Sequence, residues 1–182
     1  MKSPMRRKAF NQNIYTPMTS IIIRDALIND LSTIIEIYNA AIPGQQATGD
    51  LEPISVDSRK AWFRQHSSSS YPIWVAQREE QVVGWLSLQL FYGRAAYAKT
   101  AEVSVYIDPR YQGHGIGKQL VEYMLNQCST LNLTALVCFI FAHNLPSLKL
   151  FKNFGFESWG YLPEVALMSE GFKDVVILGR KI

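Results

Sequence analysis

The chain has 182 residues, 48% apolar and 18% charged, with a formal net charge of +3. That is the size and composition of one globular domain able to bury a core, and no apolar run is long enough for a membrane-spanning helix. The charge is uneven: Lys2, Arg6, Arg7 and Lys8 give residues 1–19 a charge of +4 with no acid, so the remainder sums to −1.

The first nineteen residues read as a basic, disordered extension, because no apolar core follows the charges as in a signal peptide. Residues 20–182 read as a single domain, too near neutral for nucleic acid to be its main partner. Ser20–Arg24 ("SIIIR") is a β-branched strand. "NDLSTIIEIYNAAI" is a helix capped at Asn29 or Asp30, with Leu31, Ile34, Ile35 and Tyr38 on one face, and Pro43-Gly44 ends it. After the polar loop "GQQATGDLEP", "SVDSRKAWFRQH" is a second helix starting near Ser55. "YPIWVAQ" and "QVVGWLSLQL" are antiparallel strands joined at "REE". A loop, "FYGRAAYAK", leads to the strand "TAEVSVYID". The helix Ile116–Cys128 follows, then strand "TALVCFIF", helix "PSLKLFKNF", strand "FESWGYLPEV" and strand "KDVVILGRK". The order β-α-α-β-β-β-α-β-α-β-β describes a mixed α/β domain. Cys128 and Cys138 form no disulfide framework; both sit in apolar segments and fit buried thiols in a reducing, cytoplasmic compartment. His66, His114 and His143 lack metal-ligand spacing, so no metal is expected.

Between strand and helix lies "YQGHGIGKQL". Glycines at 113, 115 and 117 let the backbone approach a ligand closely, and the free N–H groups of the helix start add positive potential. The combination suits a phosphate or pyrophosphate. It is not a Walker loop, because Gln119 follows Gly117-Lys118 where a hydroxyl is needed. It is not a dinucleotide fingerprint either, because Lys118 stands where the third glycine belongs. The match is to Gln/Arg-x-x-Gly-x-Gly/Ala, here Gln112-Gly113-His114-Gly115-Ile116-Gly117.

"VYIDPRYQGHGIGKQLVEYML" resembles the acetyl-CoA loop of the GNAT superfamily of N-acetyltransferases. The ordered segments "IRDA", "IYNAAI", "LEP", "AWF", "YAKTAEVSVYIDPRYQGHGIG", "NLPSLKLFKNFGF" and "KDVVIL" are similar to its phosphinothricin and methionine sulfoximine branch. The resemblance implies the acyl-CoA N-acyltransferase fold, a mixed, mostly antiparallel sheet flanked by helices. It implies acetyl-CoA as cosubstrate and a small-molecule amine as partner, with no membrane or nucleic acid involved; dimers are common among the relatives, so a homodimer is an expectation. Residue by residue, it implies that Gln112, Gly113, His114, Gly115, Ile116, Gly117 and Lys118 bind the pyrophosphate. Val105, Tyr106 and Ile107 would hold the pantetheine arm. Asn144 would contact the arm, cap a helix, or do both.

An amine must lose its proton to attack a thioester, so a general base is useful. Glu102 alternates with Ser104 and Tyr106 on one face of its strand. From spacing alone it reads as a solvated carboxylate or a partner of Lys99; the resemblance makes it the catalytic base. The acceptor pocket implied by the family draws on Tyr38, Asn39, Arg94, Tyr97 and Lys99. Three departures matter. Phe151 replaces a tyrosine that many members use to protonate the leaving thiolate. Met168 and Phe172 stand where phosphinothricin-type enzymes carry lysine and tryptophan. The last two turn the expectation away from phosphinothricin and methionine sulfoximine themselves; a small amino-acid-like primary amine is the expected acceptor, with a protein N-terminus, a polyamine or an aminoglycoside as alternatives, and a CoA-binding sensor without turnover as the non-enzymatic one.

Overall fold

The computed structural model describes residues 20–182; the basic extension lies outside them. Seven strands form one sheet in the order β1-β2-β3-β4-β5-β7-β6. They are β1 (Ile21–Asp25), β2 (Ile73–Arg78), β3 (Gln81–Leu90), β4 (Thr100–Ile107), β5 (Ala135–Phe141), β6 (Glu157–Met168) and β7 (Gly171–Lys181). Neighbours are antiparallel except β4 and β5. The helices are α1 (Leu31–Ala41), α2 (Val56–Arg64), α3 (Ile116–Gln127) and α4 (Leu145–Asn153). The last hairpin is longer than its pattern suggests, because β6 runs on through "VALM" to a turn at Ser169-Glu170.

Each face of the sheet has its own core. On one side, Leu31, Ile34, Ile35 and Ile37 of α1 bury against Ile73, Val75 and Trp85, with Trp62 and Phe63 of α2 beside them. The Trp85 indole N–H donates to the Ile34 carbonyl at 3.1 Å, so the ring is buried with its polar atom satisfied. On the other side, Ile116, Leu120, Val121 and Met124 of α3 join Leu148 and Phe151 of α4 over the centre of the sheet. Asp30 does not cap α1 with its side chain; its carboxylate accepts from Leu27 N–H and pairs with Arg24 at 2.7 Å. Ser55 does cap α2, accepting from Ser58 N–H. Both cysteines are buried, and burial pushes their thiols up to about 11 for Cys128 and about 12 for Cys138.

Candidate active site

The candidate site arises where the one parallel pairing among the described strands gives out. β4 and β5 pair at Thr100↔Ala135, Ala101↔Leu136 and Glu102↔Val137, and no further. β3 holds β4 along its whole length, while β7 holds β5, so the two halves of the sheet diverge beyond Glu102. The ladder phase decides what β4 offers the gap. Phe91 N–H donates to Thr100 O, and Asp108 N–H to Val83 O. Alternation then turns the backbone groups of Glu102, Ser104 and Tyr106 toward β3, and those of Val105 and Ile107 into the gap. Of the three residues expected to hold an extended ligand arm, Val105 and Ile107 thus present backbone. Tyr106 presents its ring, whose hydroxyl donates to Ala47 O at 3.0 Å and which stacks on Trp85 at 4.7 Å.

A cavity of about 760 Å³ runs from the glycine turn to this gap and is bounded by Val105, Ile107, Gln112, Gly113, Gly115 and Lys118, among others. Gly113 and Gly115 take φ of +77° and +78°, and a Cβ built on either meets nothing within 4 Å. Left-handed backbone and open space in front of it are what a close-approaching anion requires. Gly117 has a different reason to be glycine: its Cβ would stand 3.3 Å from Leu150 Cδ2 of α4. Around the turn, the Gln112 amide donates to Ile107 O and His114 bonds Gln112 O. Tyr111 donates to Gln81 and lines the same cavity. The residues present fit a pyrophosphate followed by an extended arm.

A second cavity of about 360 Å³ adjoins the first at Gln46, Ala47, Val105, Tyr106, Asn144 and Ser147. Glu102, Cys138 and Phe151 face it. Among the described residues no ion pair joins Glu102 to Lys99. Asn144 does two jobs: its side-chain oxygen caps α4 by accepting from Ser147 N–H, and its amide donates to Gln46 O at 2.9 Å. His143 bonds Gln45 O nearby. These contacts, with Tyr106, tie the segment 45–47 across the junction of the two cavities. That strap was not legible in the sequence, since none of its partners lies close in the chain.

The other expected residues divide. Tyr38 lines a third cavity of about 170 Å³ on the Glu102 face of the sheet. Its hydroxyl meets Thr48 at 2.5 Å and donates to Asp50 at 2.6 Å; burial and the Asp50 carboxylate raise its pKa. Asn39 spends both ends of its amide on Ile54 backbone, so it fixes the loop before α2. Arg94, Tyr97 and Lys99 line none of the three cavities. Tyr97 packs with Phe91 and Tyr92 in an exposed aromatic group, and Arg94 lies over the Tyr92 ring at 5.6 Å. Arg59, Trp62 and Ser104, which the sequence reading did not single out as site residues, line the third cavity instead. Met168 is buried, and Phe172 is exposed opposite Leu167 in the last hairpin.

The model of the Acetyltransferase (GNAT) family matches residues 32–156. Over 161 residues the chain is 43% identical to a Bacillus subtilis (strain 168) protein named "Putative phosphinothricin acetyltransferase YwnH", covering 88% of this chain and 98% of that one. It is 33% identical over 147 residues to an L-methionine sulfoximine/L-methionine sulfone acetyltransferase of Pseudomonas aeruginosa, covering 80% and 86%. The crystal structure of a GNAT superfamily phosphinothricin acetyltransferase from Sinorhizobium meliloti, in complex with AcCoA, superposes with a TM-score of 0.85 at 29% identity, covering 91% of this chain and 89% of that one.

Proposed function

The chain belongs to the GNAT family of acetyltransferases, and from that premise we propose that it moves an acetyl group from acetyl-CoA to the primary amine of a small amino-acid-like acceptor. The observation that carries this reading is the divergence of β4 from β5, with Glu102 at its vertex and the glycine turn at its open end. The names of the relatives, one a "putative phosphinothricin acetyltransferase" and the other an L-methionine sulfoximine/L-methionine sulfone acetyltransferase, support the acceptor class.

In this reading the glycine-turn amides and the first turn of α3 hold the pyrophosphate, since helix-start N–H groups have no intrahelical partner. Val105 and Ile107 meet the arm with backbone hydrogen bonds. Glu102 takes the amine proton as nitrogen attacks the thioester carbon. The Val105 N–H stabilises the charge that builds on the carbonyl oxygen. The carbon–sulfur bond then breaks, and the thiolate needs a proton. Phe151 has none to give. The Cys138 thiol, pushed up to about 12 by burial and the nearby Glu102, is too weak an acid. The Tyr106 phenol is raised further still, by burial first and by Tyr38 next. The proton that Glu102 removes therefore returns to sulfur through solvent.

The test is free-thiol release from acetyl-CoA against methionine sulfoximine, methionine sulfone, phosphinothricin, standard amino acids, polyamines and short peptides. Release with an amino-acid analogue is expected. Release only with polyamines or peptides would move the acceptor class, and acetyl-CoA binding without release to any acceptor would overturn the enzyme reading for this chain.

A further inference from the structure

The third cavity contains a charge that the acetyl-transfer step does not use. It lies between α1, α2 and the β3–β4 face, walled by the rings of Tyr38, Trp62 and Trp85, and it shares Ser104 and Tyr106 with the cavity that Glu102 faces. Arg59 is the single formally charged residue among those that line it. The guanidinium sits 5.8 Å from the centre of the Tyr38 ring. Its one ion-pair partner among the described residues is Asp50, touched by one terminal nitrogen at a long 3.4 Å. A guanidinium carries five N–H donors in a planar fork suited to paired oxygens, and one stretched contact leaves most of that capacity open. A small aromatic-walled pocket with one placed cation is built for an apolar body ending in, or bearing, an anionic oxygen pair.

Resting on the acetyl-transfer reading, the geometry points to Arg59 as the anchor for an oxyanion of the acceptor, and so as a residue that sets acceptor specificity. An amine placed against Glu102 and over Ser104 extends the rest of its molecule into this cavity. Arg94, the arginine expected from the sequence, is stacked on Tyr92 outside it. The oxyanion has two chemical sources, the α-carboxylate of an amino acid or a distal phosphinate. Asp50 competes with either for Arg59, and it also receives the Tyr38 hydroxyl. Its removal should therefore strengthen oxyanion binding, whereas a purely structural Arg59 would make Asp50 and Arg59 variants fail alike.

The experiment is equilibrium calorimetry of the full chain with phosphinothricin, methionine sulfone and their decarboxylated amines, with thiol release measured in parallel. Arg59→Gln should weaken oxyanion-bearing acceptors at least tenfold and leave acetyl-CoA and oxyanion-free amines unchanged. Arg59→Lys should recover part of the loss, and Asp50→Asn should tighten binding. A loss that disappears with the α-carboxylate of methionine sulfone assigns that group to Arg59; a loss confined to phosphinothricin and its decarboxylated amine assigns the phosphinate. Equal weakening of acceptors with and without an oxyanion would overturn the anchor. So would unchanged binding, weakening by Asp50→Asn, or a wild-type chain that binds none of the oxyanions. Arg59-dependent binding with no thiol release from any acceptor would leave the anchor standing and sink the acetyl-transfer reading alone.

Discussion

Replacing Glu102 by Gln removes a charge and keeps the shape. Glu102 pairs across the ladder with Gln89, and an amide fits that partner as well as a carboxylate does, so stability should hardly move. An α-amine near pKa 8 is about one-tenth neutral at pH 7. A base that merely shifted that fraction would be worth about tenfold. Taking the proton within the transition state is worth about 10²–10⁴, or ~3–5 kcal/mol. The expected result is a fall in kcat of that size at pH 7, of which a rise to pH 9 restores no more than about tenfold. Acetyl-CoA affinity by calorimetry should stay as it was, because Glu102 faces the smaller cavity and not the long cleft. Cys138 supplies a second readout. Burial first and Glu102 second push its thiol up to about 12, so the Gln variant should let it alkylate faster at pH 9–10. Cys128 owes none of its shift to Glu102 and is the internal standard. An unchanged rate and pH profile, or full recovery at pH 9, would refute the base assignment.

Gly115→Ala places a Cβ in open space but on left-handed backbone, which costs about 1–2 kcal/mol and should lower Tm by about 2–8 °C. Gly117→Ala, on helical backbone against a flexible leucine tip, gains about 1 kcal/mol of helix propensity against a small shift of Leu150, so scanning calorimetry should find Tm within about 2 °C of wild type. Asn144→Ala removes a cap and the tie to Gln46; a loss of about 2 kcal/mol is expected in urea unfolding. The Arg24 hydrogen bond holds the Asp30 carboxyl below its usual range, so its stabilisation is present above about pH 4 and fades as pH falls through the lowered value. Asp30→Asn should therefore cost up to about 1 kcal/mol at pH 7, since Arg24 remains partly in water, and the difference should shrink in unfolding curves as pH falls below the usual carboxylate range and through the lowered value.

What could be read from the residues alone follows from where the information sits. Local periodicity located the seven strands and four α-helices of the described residues, and the alternation of Glu102, Ser104 and Tyr106 put them on one face before any contact was known. The three glycines marked a turn whose backbone proves left-handed at Gly113 and Gly115, with open space in front of it. Register between distant strands is another matter. Nothing in "AEVSVYI" or "ALVCFIF" says that their pairing stops after three residues, because that depends on β3 and β7 pulling the two strands apart. The same limit hid Arg59, which on α2 looks like any surface arginine until the helix is seen to roof a cavity. It also favoured Asn39 and Arg94, whose side chains turn out to be engaged by Ile54 and Tyr92.

On the proposed reading β4 meets one ligand through its backbone and another through its side chains, which separates two kinds of inheritance. Hydrogen bonds from Val105 and Ile107 into the gap depend on strand geometry and scarcely on which residues stand there. The side chains that look toward α1 and α2, Glu102 as the proposed base apart, can change residue by residue without disturbing that ladder. On that reading acceptor preference can drift through substitutions on α2 and the outer positions of β4 while the grip on a common acyl donor is carried along unchanged. Such a fold can stock a lineage with many amine substrates and a single donor.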